Sequence, residues 1–215
     1  MTIIAPSLLA ADFLQLGAAC DMLNKSEAEW YHLDVMDGSF VPNISFGLPV
    51  IEQIRKATTK VCDVHLMIVH PEKYIEAFKK AGADILTVHY EACPNLSATL
   101  AQIKALGMKA GVAINPDTDI QVLKAFIAEM DLVCVMSVFP GFGGQKFIEG
   151  TYERVTALKS IILDAGVNTL IEIDGGVTAE NAKALIAAGA DVLVAGTTVF
   201  KATDPIKTIS QLRYS

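Results

Sequence analysis

The chain has 215 residues, a net charge of −7 and 52% hydrophobic residues. This length is enough for one large domain, and the apolar share is high enough to build a large core. An acidic chain without a cluster of Lys and Arg argues against nucleic acid or an anionic membrane surface as a partner. No apolar run reaches the roughly 18 residues that indicate a membrane span.

Four cysteines are scattered along the chain without a CxxC pair; they are Cys20, Cys62, Cys93 and Cys134. This pattern is typical of reduced thiols in a cytosolic protein. The first residues, MTIIAPSLLAADF, lack a basic segment and reach Asp12 early, so we expect no signal peptide. The sequence therefore predicts a cytoplasmic protein.

Short apolar runs typical of buried strands alternate with amphipathic segments along the whole chain. The runs lie near 3–9, 30–36, 61–68, 84–89, 109–114, 131–138, 169–174 and 191–196. Segments 71–82 and 178–189 show helical spacing, and helical segments stop at Gly82, Gly107, Gly166 and Gly189. Eight strands that alternate with about eight helices imply parallel strands joined by helical crossovers.

Two architectures fit this alternation, a (β/α)₈ barrel and a doubly wound sheet. The segments KAGADILTV at 80–88 and AAGADVLVA at 187–195 are similar. Their offset is close to four βα units of roughly 30 residues, which favours the barrel. We therefore predict an α/β protein with a single (β/α)₈ TIM-barrel domain over residues 1–215. In such barrels the active site lies at the C-terminal ends of the strands.

Charged and imidazole side chains fall at the C-terminal ends of three predicted strands. His32 and Asp34 share one face of the second strand because side chains alternate with period two. His65 ends the third strand, and Asp174 ends the seventh. Burying such groups is costly unless they are paired or bind a metal. They predict a divalent-metal site suited to zinc, iron or manganese, with two carboxylates around one reacting centre.

Glycine-rich segments follow the last three predicted strands. DGG at 174–176 and AGTT at 195–198 would let backbone N–H groups approach a phosphate. The alternative is a pair of tight turns that bind nothing. PGFGGQ at 140–145 is either a flexible connector or a lid whose Phe142 covers the substrate.

Three methionines are expected near the barrel mouth, namely Met36, Met67 and Met136. They are either packing residues or an apolar wall beside the reacting carbon. Asp37 points to the opposite face from Asp34 and is expected to form a turn. His89 lies beyond the fourth strand without an evident partner, and the pattern gives it no role in the site.

Taken together, these segments resemble the ribulose-phosphate 3-epimerase family. The similar stretches cover nearly the full length and are APSLLAADF, HLDVMDGSFVPNISFG, CDVHLMI, AGADILTVH, INPDT, PGFGGQKF, EIDGGV and AGTT. The resemblance implies a barrel of the ribulose-phosphate-binding type with one divalent metal ion (Zn, Fe, Mn or Co) per subunit. It also implies interconversion of D-ribulose 5-phosphate and D-xylulose 5-phosphate in the pentose phosphate pathway, and a homo-oligomer, either a dimer or a hexamer.

The resemblance also implies roles for individual residues. It makes Asp34 and Asp174 the acid/base pair and, together with His32 and His65, the metal ligands. It places the substrate against Ser7, His65, Gly141, Phe142, Gly143, Gly144, Asp174, Gly175, Gly176, Gly196 and Thr197. Two positions depart from the family pattern. Thr197 stands where Ser is commoner and keeps the hydroxyl. Phe139 stands where Asn is usual, and this departure puts the expected loop closure and the choice of sugar phosphate in question.

The chemistry fits the residues independently, because epimerisation at C3 needs two acid/base groups on opposite sides of the carbon. Asp34 and Asp174 approach from strands that are not neighbours. A sibling epimerase acting on a hexulose 6-phosphate such as allulose 6-phosphate would use the same groups. A related decarboxylase or hexulose-phosphate synthase would carry a DxK pair, but Met36 stands where the lysine is needed. A non-catalytic sugar-phosphate binder would be expected to lack a ligand or a carboxylate, and none is missing.

Overall fold

Eight parallel strands form the inner ring of the fold in a computed structural model, which describes residues 2–215. The strands are β1 (Ile3–Ala5), β2 (Trp30–Met36), β3 (Val61–Met67), β4 (Ile85–His89), β5 (Lys109–Ile114), β6 (Leu132–Met136), β7 (Leu170–Asp174) and β8 (Val192–Val194). Their order in the sheet is β1-β8-β7-β6-β5-β4-β3-β2, and every pair is parallel. Each strand lies within a run predicted from the sequence.

The sheet closes on itself between β1 and β2. A parallel bridge joins Ser7 to His32, and the His32 N–H donates to the Pro6 carbonyl at 3.1 Å. Nearer the N-terminal ends of the two strands, the Glu29 N–H donates to the Ile4 carbonyl at 3.2 Å. These bonds make the sheet a barrel rather than an open, doubly wound sheet, so the predicted TIM-barrel fold is confirmed.

Helices surround the strands. They are α1 (Leu16–Lys25), α2 (Leu48–Ala57), α3 (Ile75–Ala81), α4 (Leu96–Ala105), α5 (Thr151–Ala165), α6 (Ala179–Ala188), α7 (Thr197–Phe200) and α8 (Pro205–Arg213). The segment after β5 forms only 3₁₀ turns, Ile120–Ala125 and Ile127–Glu129, so the strict alternation expected from the sequence fails there. Within residues 2–215, every helix is too short or too polar to cross a bilayer.

Alternation along the strands separates two layers of core. Leu33 and Val35 of β2 pack outward in a large cluster between strands and helices. A second cluster fills the lower part of the barrel and includes Trp30, Leu132 and Val192. Because side chains alternate with period two, Trp30 shares its face of β2 with His32 and Asp34. The same pattern that builds the outer core therefore turns the polar residues into the barrel.

Candidate active site

Four side chains converge inside the barrel near the C-terminal ends of β2, β3 and β7. Asp34 Oδ1 lies 3.3 Å from His32 Nε2 and 3.2 Å from His65 Nδ1. Asp174 Oδ2 lies 3.7 Å and 3.4 Å from the same two nitrogens. One ligand atom from each residue falls within 4.8 Å of all the others. The structure therefore brings together the complete cluster that the sequence predicts; we call it the His–Asp cluster.

Strand register produces this convergence. In the β2–β3 pairing, Asp34 lies directly beside His65, and His32 lies beside Asp63. Paired residues of parallel strands point to the same side of a sheet. Asp174 ends β7, three strands away from β2 around the ring, and reaches the cluster across the barrel.

The His–Asp cluster fits a divalent cation. His32 Nε2 is buried, has no hydrogen-bond partner and faces the two carboxylates. Two imidazole nitrogens and two carboxylate oxygens are a donor set that suits zinc, iron, manganese or cobalt. An unpaired buried nitrogen beside two carboxylates is the arrangement that a bound cation would satisfy.

The electrostatics of the cluster favour positive charge at its centre. Burial alone would lower the pKa of His32, but Asp34, Asp63 and Glu172 outweigh it and raise that pKa well above its ordinary value. Burial also opposes the rise at His65, where hydrogen bonds to Asp174 and Asp34 bring the pKa to about 9. Burial tends to raise the pKa of Asp34, but the two imidazoles hold it well below its usual range. The carboxylates thus attract a charge that either protons or a cation can supply.

A second pair of carboxylates lies beneath His32. Asp63 Oδ2 is 2.6 Å from His32 Nδ1, and Glu172 Oε1 is 3.6 Å from the same nitrogen. All three side chains are fully buried. A carboxylate on Nδ1 orients the ring so that Nε2 faces the cluster. Burial and the neighbouring Asp63 raise the pKa of Glu172 to about 8.

His89 has a partner, contrary to the interpretation of the sequence. It is the last residue of β4 rather than a residue beyond the strand, and it is fully buried. Its Nε2 lies 2.9 Å from His65 Nε2. The pattern gave no sign of this contact because His65 and His89 belong to different strands and are not register partners.

A cavity of about 540 Å³ opens above the His–Asp cluster. Asp34 and Asp174 form part of its lining, and so do the three methionines Met36, Met67 and Met136. The lining also includes nine of the residues that the resemblance implies as substrate contacts, namely Ser7, Gly141, Phe142, Gly143, Gly144, Gly175, Gly176, Gly196 and Thr197. His65 lies beneath the floor rather than in the lining, so its contact with the substrate stays a prediction.

The glycines after β7 are required by their surroundings. Gly176 has φ of 63°, and a Cβ atom there would lie 2.8 Å from the Phe147 backbone nitrogen. Gly175 has φ of 116°, and a Cβ atom would lie 2.4 Å from a methyl of Val138. Without side chains, the backbone of this turn stays accessible at the cavity wall. Gly196 and Thr197 line the same wall from the β8 side.

The side-chain amides of Asn43 and Gln145, to which the sequence pattern gives no role, brace the loop after β6. Asn43 Nδ2 donates to the Gly141 carbonyl at 2.8 Å and ties this loop to the loop after β2. Gln145 Nε2 donates to the carbonyls of Phe139 and Phe142 at 2.7 and 2.9 Å. The rings of Phe139 and Phe142 are about half exposed at the cavity rim. The Gln at the end of PGFGGQ could have predicted these bonds, because a side-chain amide beside a glycine-rich turn can donate to the backbone carbonyls of that turn.

Asp37 forms the turn that the sequence predicts. Its Oδ1 accepts from the N–H groups of Ser39 and Phe40 at 2.8 and 2.9 Å. Its Oδ2 accepts from the Val69 N–H at 2.8 Å and joins the loops after β2 and β3. Asp37 therefore stabilises the rim and takes no part in the His–Asp cluster.

Comparison with solved structures supports the fold alone. The chain superposes on 3-hexulose-6-phosphate synthase from Salmonella typhimurium with a TM-score of 0.69 and 19% identity, covering 99% of this chain and 97% of that one. A variant of the tryptophan synthase alpha-subunit from Pyrococcus furiosus gives a TM-score of 0.75 at 14% identity, covering 100% and 98% of the two chains. Both comparisons support the barrel.

Comparison of sequences identifies the family. The chain is 49% identical over 213 residues to a ribulose-phosphate 3-epimerase from Bacillus subtilis (strain 168), covering 99% of this chain and 98% of that one. It is 46% identical to a chloroplastic ribulose-5-phosphate-3-epimerase from Arabidopsis thaliana, covering 99% and 76%. The family model described as the ribulose-phosphate 3 epimerase family matches residues 3–200. Because this match spans β1 to α7, and thus the whole site, the chain belongs to the ribulose-phosphate 3-epimerase family.

Proposed function

We propose that the protein is a metal-dependent epimerase that interconverts D-ribulose 5-phosphate and D-xylulose 5-phosphate by proton transfer at C3. One observation carries the proposal: two carboxylates from non-adjacent strands meet two imidazoles at the floor of a cavity whose wall is made of glycine-rich turns. The floor provides acid/base groups, and the wall provides backbone donors for a phosphate.

The two proton carriers in this proposal are Asp34 and Asp174. One carboxylate takes the proton from C3 on one face, and the other, already protonated, delivers a proton to the opposite face. Asp34 turns Oδ1 to the imidazoles and Oδ2 to the Ser7 hydroxyl at the cavity surface. We assign proton transfer to the oxygen that faces the cavity. Asp174 likewise uses Oδ2 toward the imidazoles, which leaves its other oxygen for the substrate.

His32, Asp34, His65 and Asp174 would hold the divalent cation. When bound, a cation here would supply positive charge beside the oxygen that becomes negative as C3 loses its proton. Asp63 holds the His32 ring in place beneath it. The residue types leave zinc, iron, manganese and cobalt as candidates.

The remaining lining fits a sugar phosphate whose reactive intermediate must be kept from water. The backbone N–H groups near Gly175, Gly176 and Gly196 suit a phosphate at the wall. Met36 and Met136, both buried and both lining the cavity, would surround the reacting carbon with apolar surface. Phe142, on the loop after β6, would cover the substrate from the rim.

A hexulose 6-phosphate such as allulose 6-phosphate is the second candidate substrate. Phe139 is the observation that favours a hexulose phosphate, because its ring replaces the Asn that is usual in the family and lies at the cavity rim. The proton chemistry at C3 is the same for both sugars, and only the room for the additional carbon differs. The family match favours the pentulose.

Cytoplasmic location and assembly into a homo-oligomer are further parts of the proposal. Burial of all four cysteines as free thiols supports a reducing compartment. Leu14 and Ile44 are 93% and 75% exposed, and covering them in a dimer or hexamer would remove apolar surface from water. Light scattering of the purified protein tests the assembly.

Turnover by the purified enzyme tests the proposed function. We expect epimerisation of ribulose 5-phosphate that is lost on chelation and restored by a transition metal, with slower turnover of allulose 6-phosphate. Full activity in protein shown by elemental analysis to be metal-free would contradict the metal-dependent mechanism. Faster turnover of allulose 6-phosphate than of ribulose 5-phosphate would identify the hexulose phosphate as the substrate.

A further inference from the structure

A chain of hydrogen bonds runs from the His–Asp cluster through β4 to Glu91, which follows that strand. His65 Nε2 meets His89 Nε2 at 2.9 Å, and His89 Nδ1 lies 3.2 Å from Glu91 Oε2. Both imidazoles are fully buried. The ring of Phe40 packs against His89 with its centroid 4.7 Å away. His65 therefore differs from His32, whose second nitrogen meets a carboxylate directly.

Glu91 is fixed at the outer end of this chain. Its Oε1 accepts from the Asn115 N–H at 2.8 Å and from the Thr118 hydroxyl. Arg154 donates to the carbonyls of Asn115 and Thr118 at 2.7 and 3.2 Å, and to the Met136 carbonyl at 3.1 Å. Glu91 is thus held against the loop after β5 with Oε2 turned toward His89.

With both imidazoles neutral, one arrangement of protons satisfies this geometry. An ionised carboxylate accepts hydrogen bonds and cannot donate, so His89 Nδ1 must carry the hydrogen that faces Glu91. A neutral His89 then has a lone pair on Nε2 and accepts from the Nε2–H of His65. With its hydrogen on Nε2, neutral His65 has its lone pair on Nδ1, the atom that lies 3.2 Å from Asp34 and 3.4 Å from Asp174.

The opposite arrangement is unfavourable at both ends. A hydrogen on His89 Nε2 would turn the Nδ1 lone pair of His89 toward the Glu91 carboxylate. It would also leave neutral His65 with its hydrogen on Nδ1, where it would block a cation. An outer carboxylate that fixes the tautomer of a metal-binding imidazole raises metal affinity.

We propose that His89, oriented by Glu91, is a positioning residue that fixes the tautomer of His65 and so presents His65 Nδ1 to a divalent cation. This inference rests on the proposed metal-dependent function and adds to it. His89 acts only through His65, and it does not line the cavity.

Substitution of His89 tests the inference through cation affinity rather than activity. His89→Phe keeps a planar ring against Phe40 but removes the acceptor, so we expect Co²⁺ affinity to fall about 10–100-fold. His89→Gln supplies a carbonyl acceptor and a donor amide and should recover most of that affinity. His70→Asn is the matched control, because the His70 side chain is exposed, lies beside Glu72 and is not a member of the cluster. Affinity is measured by competition with a chromogenic chelator.

Thermal melting of each metal-free variant separates positioning from folding. We expect His89→Phe to fold and to show a smaller Co²⁺-induced rise in melting temperature than the wild-type protein, whereas His89→Gln and His70→Asn keep most or all of it. Unchanged Co²⁺ affinity in His89→Phe would overturn the inference and leave the proposed function intact. Failure of the wild-type protein to bind Co²⁺ or any other transition metal would instead contradict the proposed function.

Proton positions can be read directly, even if His89→Phe fails to fold. Two-bond ¹⁵N–¹H correlations of the wild-type imidazoles report which nitrogen is protonated. In Zn²⁺-loaded protein we expect hydrogen on His89 Nδ1 and on His65 Nε2. Hydrogen on His89 Nε2 would overturn the inference.

Discussion

Ser7 and Asp34 are joined across the seam that closes the barrel, where the Ser7 hydroxyl donates to Asp34 Oδ2 at 2.5 Å. Ser7 follows β1 and forms a parallel bridge with His32 of β2. Asp34 lies two residues after His32 on the same strand. A hydroxyl bond to an ionised carboxylate is short and strong. It holds Oδ2 at the cavity surface and leaves Oδ1 to face the imidazoles.

Ser7→Ala should therefore impair turnover more than cation binding. Removing a hydrogen bond to a charged group costs about 1.5–3 kcal/mol, which corresponds to a loss of about 10–100-fold in kcat. All four cluster residues remain, so the metal content should not change. Steady-state kinetics and elemental analysis check this, with Ser160→Ala on the exposed side of α5 as the control. A kcat equal to that of the control would show that Ser7 does not position Asp34.

Gly176→Ala should weaken binding of the sugar phosphate. Its φ of 63° strains any residue with a side chain, and the new Cβ would lie 2.8 Å from the Phe147 backbone. Displacing this turn moves the N–H groups that we assign to the phosphate. KM should therefore rise about tenfold or more, because losing one hydrogen bond to a charged group costs about 1.5 kcal/mol or more. Steady-state kinetics with ribulose 5-phosphate measures the change.

Gly166→Ala is a matched control for backbone strain. Gly166 has φ of 66°, and a Cβ atom there would meet nothing within 4 Å. Both variants should lose about 1–2 kcal/mol in the free energy of unfolding from the left-handed backbone, and Gly176→Ala should lose more because of its clash. Only Gly176→Ala should change KM. An equal KM in the two variants would show that the turn at Gly176 does not bind the phosphate.

Cation binding should release protons and strengthen as the pH rises. In metal-free protein the pKa of His65 is about 9 and that of His32 lies well above its ordinary value. A cation needs the unprotonated nitrogens, so at neutral pH it must displace these protons. Affinity should therefore increase with pH through the range near pH 9 in which His65 loses its proton. Titration calorimetry in buffers of different ionisation enthalpy measures the release, and a pH-independent affinity would contradict the assignment of these ligands.

The strands could be predicted closely because each is a short, nearly continuous apolar run ended by a polar group. The 3₁₀ turns after β5 could not. Asp119 caps this segment by accepting from the Gln121 N–H at 3.0 Å, and the backbone bonds that follow span three residues. The spacing of apolar residues in IQVLKAFIAEM does not distinguish such turns from a helix.

The His–Asp cluster could be predicted because its members end strands and share faces set by period two. The residues around it could not be assigned partners in the same way. Asp63 reaches His32 through the β2–β3 register, and His89 reaches His65 diagonally between strands. These contacts depend on how far neighbouring strands are shifted, which a single sequence does not state. The bracing of the β6 loop by Asn43 likewise depends on loops far apart in the chain.

In the proposed mechanism, Asp34 and Asp174 transfer protons on opposite faces of C3. Each single change to Asn keeps a ligand oxygen but removes the base, and should lower epimerisation by about 10²–10⁴-fold. Metal content of Asp34→Asn and Asp174→Asn is measured first, so that loss of the cation is not mistaken for loss of the base.

Exchange of the C3 proton in deuterated water shows which face each carboxylate serves. The wild-type enzyme should place solvent deuterium at C3 of the epimerised product. In metal-loaded Asp34→Asn and Asp174→Asn, we expect exchange into one epimer only, and into a different epimer in each variant. Exchange of both epimers at equal rates in both variants would contradict the two-carboxylate mechanism.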